Sequence, residues 1–209
     1  MSSIIKVDTI QNQSGANIIS ESANTITVGA SGDTITVPSG ATLGGAGTVD
    51  LSSATVTLNS TMKMTPSFFV YLTSNQDIPD NTATKVSGFT ELLDTDNCFA
   101  SNKFTPTTAG KYVIYAGVDM GSVGGTTSNL REAYTIIYKN GSFYAFSDNN
   151  YNGSFHYNLT IFTQTFVDFN GTTDYVELYA QADLTTGNPR VYGGGNKQTF
   201  FGGYKIIGA

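Results

Sequence analysis

The chain has 209 residues with a formal net charge of −6, and only 12% of its residues are charged, about half the usual share. That balance excludes a basic nucleic-acid surface and a polybasic membrane patch. No apolar run approaches the roughly 18 residues of a membrane-spanning helix, and "MSSIIKVDTIQ" lacks the basic start and apolar stretch of a secretory signal.

From the N-terminus, the first elements are thin. "TITV" occurs at Thr25–Val28 and again at Thr34–Val37, followed by "TVDL" and "ATVTL". Within each piece the aliphatics sit two apart, as with Ile26/Val28 and Ile35/Val37, so each pair shares one face of a strand. Turn residues such as "GASGD" and "PSGATLGGAG" separate the pieces. Burying one aliphatic side chain gains roughly 1.5–3 kcal/mol, whereas ordering each residue costs about 1–2 kcal/mol. Two aliphatics per unit therefore do not sustain a lone chain. Several copies that bury Ile26, Val28, Ile35 and Val37 against one another do, as in solenoids and fibrous shafts. A flexible Gly/Ser linker is the competing reading.

All 13 Phe and 12 Tyr lie after Thr65. This shift sets the expected organisation: an attachment segment over 1–22, a β-repeat shaft over 23–65, and a globular head over 66–209, with Pro66 as punctuation. In the head, "SFFVYL", "KYVIYAGV", "EAYTIIY", "SFYAFS", "YNLTIFTQTFV", "DYVELYAQ" and "TFFGGYKII" read as strands. "KNGS" and "FNGTT" carry Asn-Gly, the strongest short hairpin signal. The expected class is all-β, with the head an antiparallel sandwich or jelly roll.

Little catalytic chemistry is legible. Cys98 is the lone cysteine and His156 the lone histidine, so no disulfide forms within the chain and a buried or half-buried thiol is expected. No nucleophile elbow, metalloprotease helix or phosphate loop occurs. "DTDN", Asp94 to Asn97, lacks the twelve-residue calcium-loop pattern. We expect no enzyme, no metal and no cofactor. The richest binding segment is "FSDNNYNGSFHYN", read as a loop in which Asp148, Asn150 and Asn152 interleave with Tyr151, Phe155 and His156. Rings that stack on sugar faces beside amides and carboxylates that bond hydroxyls suit a glycan.

Four stretches resemble the globular heads of the complement-component-q and tumour-necrosis-factor families. "NKFTPTTAGKYVIYAGV" carries Phe104, Pro106, Gly110 and Tyr112 of the signature. "DYVELYAQ" resembles the late strand, "TFFGGYKI" the closing strand and "SFFVYL" the opening one. Their order covers nearly all of 66–209. The resemblance implies a jelly-roll homotrimer. Alternation puts Tyr112, Ile114, Ala116 and Val118 on one face of "KYVIYAGV" and turns Val176, Leu178 and Ala180 of "DYVELYAQ" to the core; it then places Val113, Tyr115, Tyr175, Tyr179, Phe200 and Tyr204 on one outer face, the expected three-fold interface. "IIKVDTIQNQSGANIIS" with its following repeats is similar to the start of tailed-phage fibre proteins. The joint expectation is a virion protein: a trimeric fibre or spike that docks on other virion proteins by its N-terminus and presents a head to a host-surface glycan or protein. The alternative is a capsid or tail decoration or adaptor protein with no host receptor. Neither nucleic acid nor membrane insertion is expected.

Overall fold

The computed structural model describes residues 9–11, 13–14, 17–22, 25–28, 32, 34–36, 63–124, 128–151, 153 and 155–207. The chain divides into two units, Met1–Val56 and Thr57–Ala209.

The first unit contains an antiparallel meander of β1 (Thr9–Gln11), β2 (Asn17–Ser22) and β3 (Thr25–Val28). The first TITV is therefore a strand, as its alternation predicts. It pairs with the preceding segment, Ile19 opposite Val28 and Glu21 opposite Ile26. Ile10, Ile19 and Val28 stand in one row across the three strands, and all three are exposed. The second TITV differs: residues 34–36 are not in a strand. Val28 is 48% and Ile35 63% exposed. In one copy of the chain these aliphatics lack the burial that would hold a further strand in place. Val37 and the side chain of Ile26 lie outside the described residues.

The second unit is an antiparallel two-sheet sandwich. Its strands are β4 (Ser67–Leu72), β5 (Gln76–Asp77), β6 (Thr84–Lys85), β7 (Phe89–Asp94), β8 (Phe99–Ala100), β9 (Lys103–Phe104), β10 (Gly110–Ser122), β11 (Leu130–Lys139), β12 (Ser142–Asn150), β13 (Asn158–Phe169), β14 (Val176–Leu184), β15 (Pro189–Val191) and β16 (Phe200–Lys205). In the first sheet β10 pairs along its length with β13; β16 and β15 share its other edge, and β4 and β7 follow β16. The second sheet runs β12-β11-β14-β9-β8, with β6 also on β14. The chain alternates between sheets: β10 in the first, β11 and β12 in the second, β13 back in the first, β14 in the second, β16 in the first. That is the jelly-roll path.

Period-two patterning fills the space between the sheets. On β4, Phe68, Val70 and Leu72 are buried; on β10, Tyr112, Ile114, Ala116 and Val118; on β14, Val176, Leu178 and Ala180. The β10 and β14 sets match those expected from alternation. Phe68 stacks on Phe104 with ring centroids 4.2 Å apart, and Tyr112 meets Phe169 edge-on at 5.0 Å. The buried Tyr112 hydroxyl donates to the Thr108 carbonyl at 2.7 Å, so no polar atom is stranded there. Gly110 opens β10 at a φ of +141°, a conformation that side-chain-bearing residues avoid.

The two Asn-Gly pairs behave differently. Asn140 and Gly141 both have positive φ, 53° and 76°, and close the β11–β12 hairpin as a two-residue turn of the expected kind. Asn170-Gly171 instead joins β13 to β14, which lie in different sheets. The Asn170 side chain there accepts from the backbone N–H groups of Thr172, Thr173 and Asp174, so it caps a turn and no hairpin forms. Cys98 is buried in the core. Asp94 accepts from the N–H groups of Cys98 and Phe99 at 2.9 and 2.8 Å, which gives this acidic cluster a turn-capping role.

Candidate assembly face

On the first sheet, the residues between the inward ones point away from the core. Strand register arranges them in rows. Phe166 of β13 lies opposite Val113 of β10, which lies opposite Tyr204 of β16. In the next row Gln164, Tyr115, Gly202 and Phe69 stand in line, continued by Leu93 of β7. The third row holds Phe162, Gly117, Phe200 and Tyr71.

The glycines in this pattern make room for rings. A Cβ on Gly202 would sit 2.6 Å from the Tyr115 ring, and one on Gly117 2.7 Å from Phe200 and 2.9 Å from Phe162. The aromatic side chains therefore lie down over the glycine backbones. Their centroids form a connected cluster: Phe69 to Phe200 at 5.6 Å, Phe162 to Phe200 at 5.8 Å, Tyr115 to Phe200 at 6.3 Å. Burial beneath these neighbours, with Tyr204 nearby, raises the Tyr115 hydroxyl above its ordinary pKa. Phe162 and Phe166 are each 64% exposed. A phenyl ring has no polar handle to present to water, so a continuous face of this kind is a candidate contact surface.

The edge strand β13 is tied down from the other side. Thr135 of β11 donates to the Ile161 carbonyl at 3.0 Å and Tyr144 of β12 to the Phe166 carbonyl at 3.0 Å. These bonds occupy edge carbonyls that would otherwise invite non-specific strand pairing.

The expectation of one face carrying all six interface residues requires correction. Val113, Tyr115, Phe200 and Tyr204 do share the first sheet's outward face. Tyr179 lies on β14 and Tyr175 just before it, in the second sheet. Alternation predicts that these tyrosines turn away from the core, but not which side of the sandwich they reach. Tyr179 stacks on Tyr138 at 4.0 Å, and the Lys103 ammonium sits 4.6 Å from the Tyr175 ring centroid. Between the two tyrosines, Glu177 pairs with Lys85 at 2.6 Å.

The expected ligand loop is also rearranged. Asp148 and Asn150 belong to strand β12, which runs through Asn150. The cross-strand pairing to β11 extends to Glu132–Asn150 because the hairpin turn lies farther back, at Asn140-Gly141. Asn150 donates to Glu132 at 2.9 Å, and the Tyr134 hydroxyl donates to the same carboxylate oxygen. That acceptor, with burial second, pushes the Tyr134 pKa up to about 12. Tyr151 and His156 have ring centroids 4.0 Å apart. Backbone bonds between His156 and Leu130, at 3.0 and 3.1 Å, clip the segment to β11. Asn150, Tyr151 and Phe155 line a hollow with Arg131, Glu132 and Asp183; Asp148 lies outside it, opposite Tyr134. Asn152 is outside the described residues. The hollow's polar groups are already engaged with one another, Arg131 with Asp183 and Glu132 with Asn150 and Tyr134.

Phe69, Phe162 and Phe166 were not among the residues expected from sequence to form the contact face. The run "LTIFTQTFV" carries the signal: Ile161 and Val167 alternate with Phe162 and Phe166, so both faces of one strand are apolar. Among the described residues no three His, Cys, Asp or Glu side chains cluster as metal ligands would.

No family model and no curated protein matches the sequence. Among solved structures, murine APRIL is similar at 11% identity and a TM-score of 0.48, with 67% of this chain and 98% of that one covered. The globular domain of zebrafish complement 1qA is similar at 10% identity and a TM-score of 0.44, covering 68% and 97%. The Eiger TNF of S. frugiperda is similar at 9% identity and a TM-score of 0.48, covering 68% and 93%.

Proposed function

We propose that the chain is the subunit of a homotrimeric attachment fibre or spike of a phage virion, with the first-sheet aromatic face as the contact between heads. The observation that carries this reading is the pair Phe162 and Phe166, each 64% exposed at the margin of the Tyr115–Phe200–Phe69 cluster. The heads of neighbouring copies, packed around a three-fold axis, are its occupants. Three copies is the number supported by the signature residues Phe104, Pro106, Gly110 and Tyr112. In the first unit, the exposed row Ile10–Ile19–Val28 has the same need for a partner, and a parallel bundle of chains supplies it. The opening "IIKVDTIQNQSGANIIS" supports docking on other virion proteins, and the head then faces the host surface.

Mass photometry of the full chain tests the assembly; a monomer at micromolar concentration refutes it. Competition by the purified protein against phage adsorption tests the role. A trimer that does not compete, and that immuno-electron microscopy finds on the capsid, is instead a decoration protein.

A further inference from the structure

We propose that the cavity around Asp119 is a binding site for one unit of a neutral, polyhydroxylated ligand, a hexose or the terminal sugar of a glycan. The site goes beyond the assembly reading and does not depend on it. The cavity has a volume of about 390 Å³ and is lined by Asp119, Tyr157, Asn158, Arg190, Tyr192 and Gln198, within the range of small-molecule sites.

Asp119 is the anomaly. It is 3% exposed, and its Oδ1 has no hydrogen-bond partner. The other oxygen receives a long bond, 3.4 Å from Gln198 Nε2, and the Thr160 side chain across the strand pair also reaches the carboxylate. Its backbone is fixed at both ends: its N–H donates to Thr199 Oγ1 at 3.1 Å and its carbonyl accepts from Tyr192 N–H at 2.8 Å. Burial raises the carboxyl pKa, against a smaller opposing pull from Thr160. A buried carboxylate oxygen with an unused acceptor site destabilises the fold unless something donates to it.

The walls select the donor's chemistry. Arg190 is held by Asp77 through two bonds, at 2.5 and 3.1 Å, and brings a guanidinium to the wall. A metal cation would meet that positive charge with one carboxylate as its sole acidic ligand. An anion would meet Asp119. A ligand with hydroxyl groups and no net charge donates to Asp119 and accepts from Gln198, Asn158 and Arg190 without either conflict. Tyr192 is anchored, its hydroxyl donating to the Ser122 carbonyl at 2.8 Å, while Tyr157 is 47% exposed. Two rings beside converging amide and carboxylate groups offer the apolar platform and directed polar contacts of a ligand site. Gly121 lets both tyrosine-bearing segments pack close to β10: a Cβ there would come 2.7 Å from the Tyr157 carbonyl and 2.9 Å from the Tyr192 ring.

The test is saturation-transfer NMR on the full-length assembled protein with free glucose, galactose, mannose and N-acetylglucosamine at millimolar concentration, alongside a glycan array. We expect at least one pyranose to receive transfer, or at least one glycan class to be retained, with affinity falling at least tenfold in Tyr157→Ala and in Asp119→Asn. Phe143→Ala, exposed on β12 and outside this cavity, leaves binding unchanged. Signal from free sugars points to a small soluble ligand, and array signal alone to a glycan terminus. The proposal is overturned if neither format binds, or if binding persists in both variants. Tyr157 is half-exposed, whereas Asp119 is buried, so its variant reports binding even where an Asp119 variant alters folding. Mass photometry on the same samples separates failure of this site from failure of the assembly.

Discussion

The two sheets of the sandwich both turn aromatic rings outward, and they finish those rings differently. On the second sheet several tyrosines end in polar partners or carry a cation: Tyr134 donates to Glu132, Tyr144 to a backbone carbonyl, Lys103 covers Tyr175, and the Lys85–Glu177 pair separates Tyr175 from Tyr179. On the first sheet the most exposed rings are phenylalanines, Phe162 and Phe166, and glycines flatten the surface beneath their neighbours. Exposed aromatic area alone does not separate the faces, since Phe143 and Phe146 of the second sheet are exposed too. Nor does a cation, since Lys197 sits 5.2 Å from the ring of Tyr71 on the first sheet; what distinguishes the first sheet is the higher exposure of Phe162 and Phe166, 64% each, beside rings laid over Gly117 and Gly202.

The sharpest way to break this contrast is to charge each face in turn. Phe162→Asp combined with Phe166→Asp is expected to abolish the trimer at micromolar concentration while the head stays folded. Unpaired buried charge at an interface costs on the order of several kcal/mol. Phe143→Asp combined with Phe146→Asp is expected to remain trimeric in sedimentation velocity. If the second pair dissociates the protein and the first does not, the faces have been assigned the wrong way round. Core truncation gives the complementary result. Phe104→Ala should cost about 3–5 kcal/mol, read as a lower denaturant midpoint, because Phe104 stacks on Phe68 between the sheets.

Two carboxylates sharpen the contrast through pH, with opposite signs. Asp119, on the outward side of the first sheet, has its pKa raised by burial from an ordinary 3.8. Its contribution to stability is fully present below 3.8 and is lost as pH rises through its folded value. Asp119→Asn should therefore raise the melting temperature at pH 7, with the gain vanishing in acid. Asp174, beside the turn into the second sheet, has its pKa lowered by the Asn140 side chain, then by Asn170 N–H and Lys139. Its contribution is present above 3.8 and lost as pH falls through its lower folded value. Asp174→Asn should cost about 1 kcal/mol or less near neutrality, and that difference should fade in thermal melts taken progressively further below pH 3.8.

The sequence made the two-sided patterning of single strands legible. Tyr112, Ile114, Ala116 and Val118 point inward as read, as do Val176, Leu178 and Ala180, because a strand's period of two needs no knowledge of its neighbours. The sheet to which a strand belongs is a long-range fact. Nothing within "DYVELYAQ" reveals that β14 pairs with β11 and not with β10, so Tyr179 was expected on the wrong side. Turn chemistry divided along the same line. Asn140-Gly141 makes its hairpin from local dihedrals, whereas Asn170-Gly171 serves a crossing between sheets. Asp119 was not legible at all: "GVDMGS" resembles any strand end, and only the arrival of Tyr157, Arg190 and Gln198 from distant segments encloses its carboxylate.

The position of β16 has a kinetic consequence. Residues 200–205 lie between β10 and β4, in the middle of the first sheet. On the ribosome, β4 and β10 emerge long before the strand that joins them, leaving two open edges and half of the aromatic face waiting. The first sheet cannot close until Phe200–Lys205 has left the exit tunnel. Pairings this far apart in sequence are slow to form, and open edges in the meantime favour premature association. Under the proposed assembly, contacts between chains before β16 arrives would lack Phe200 and Tyr204, so synthesis would order the steps: head first, then assembly.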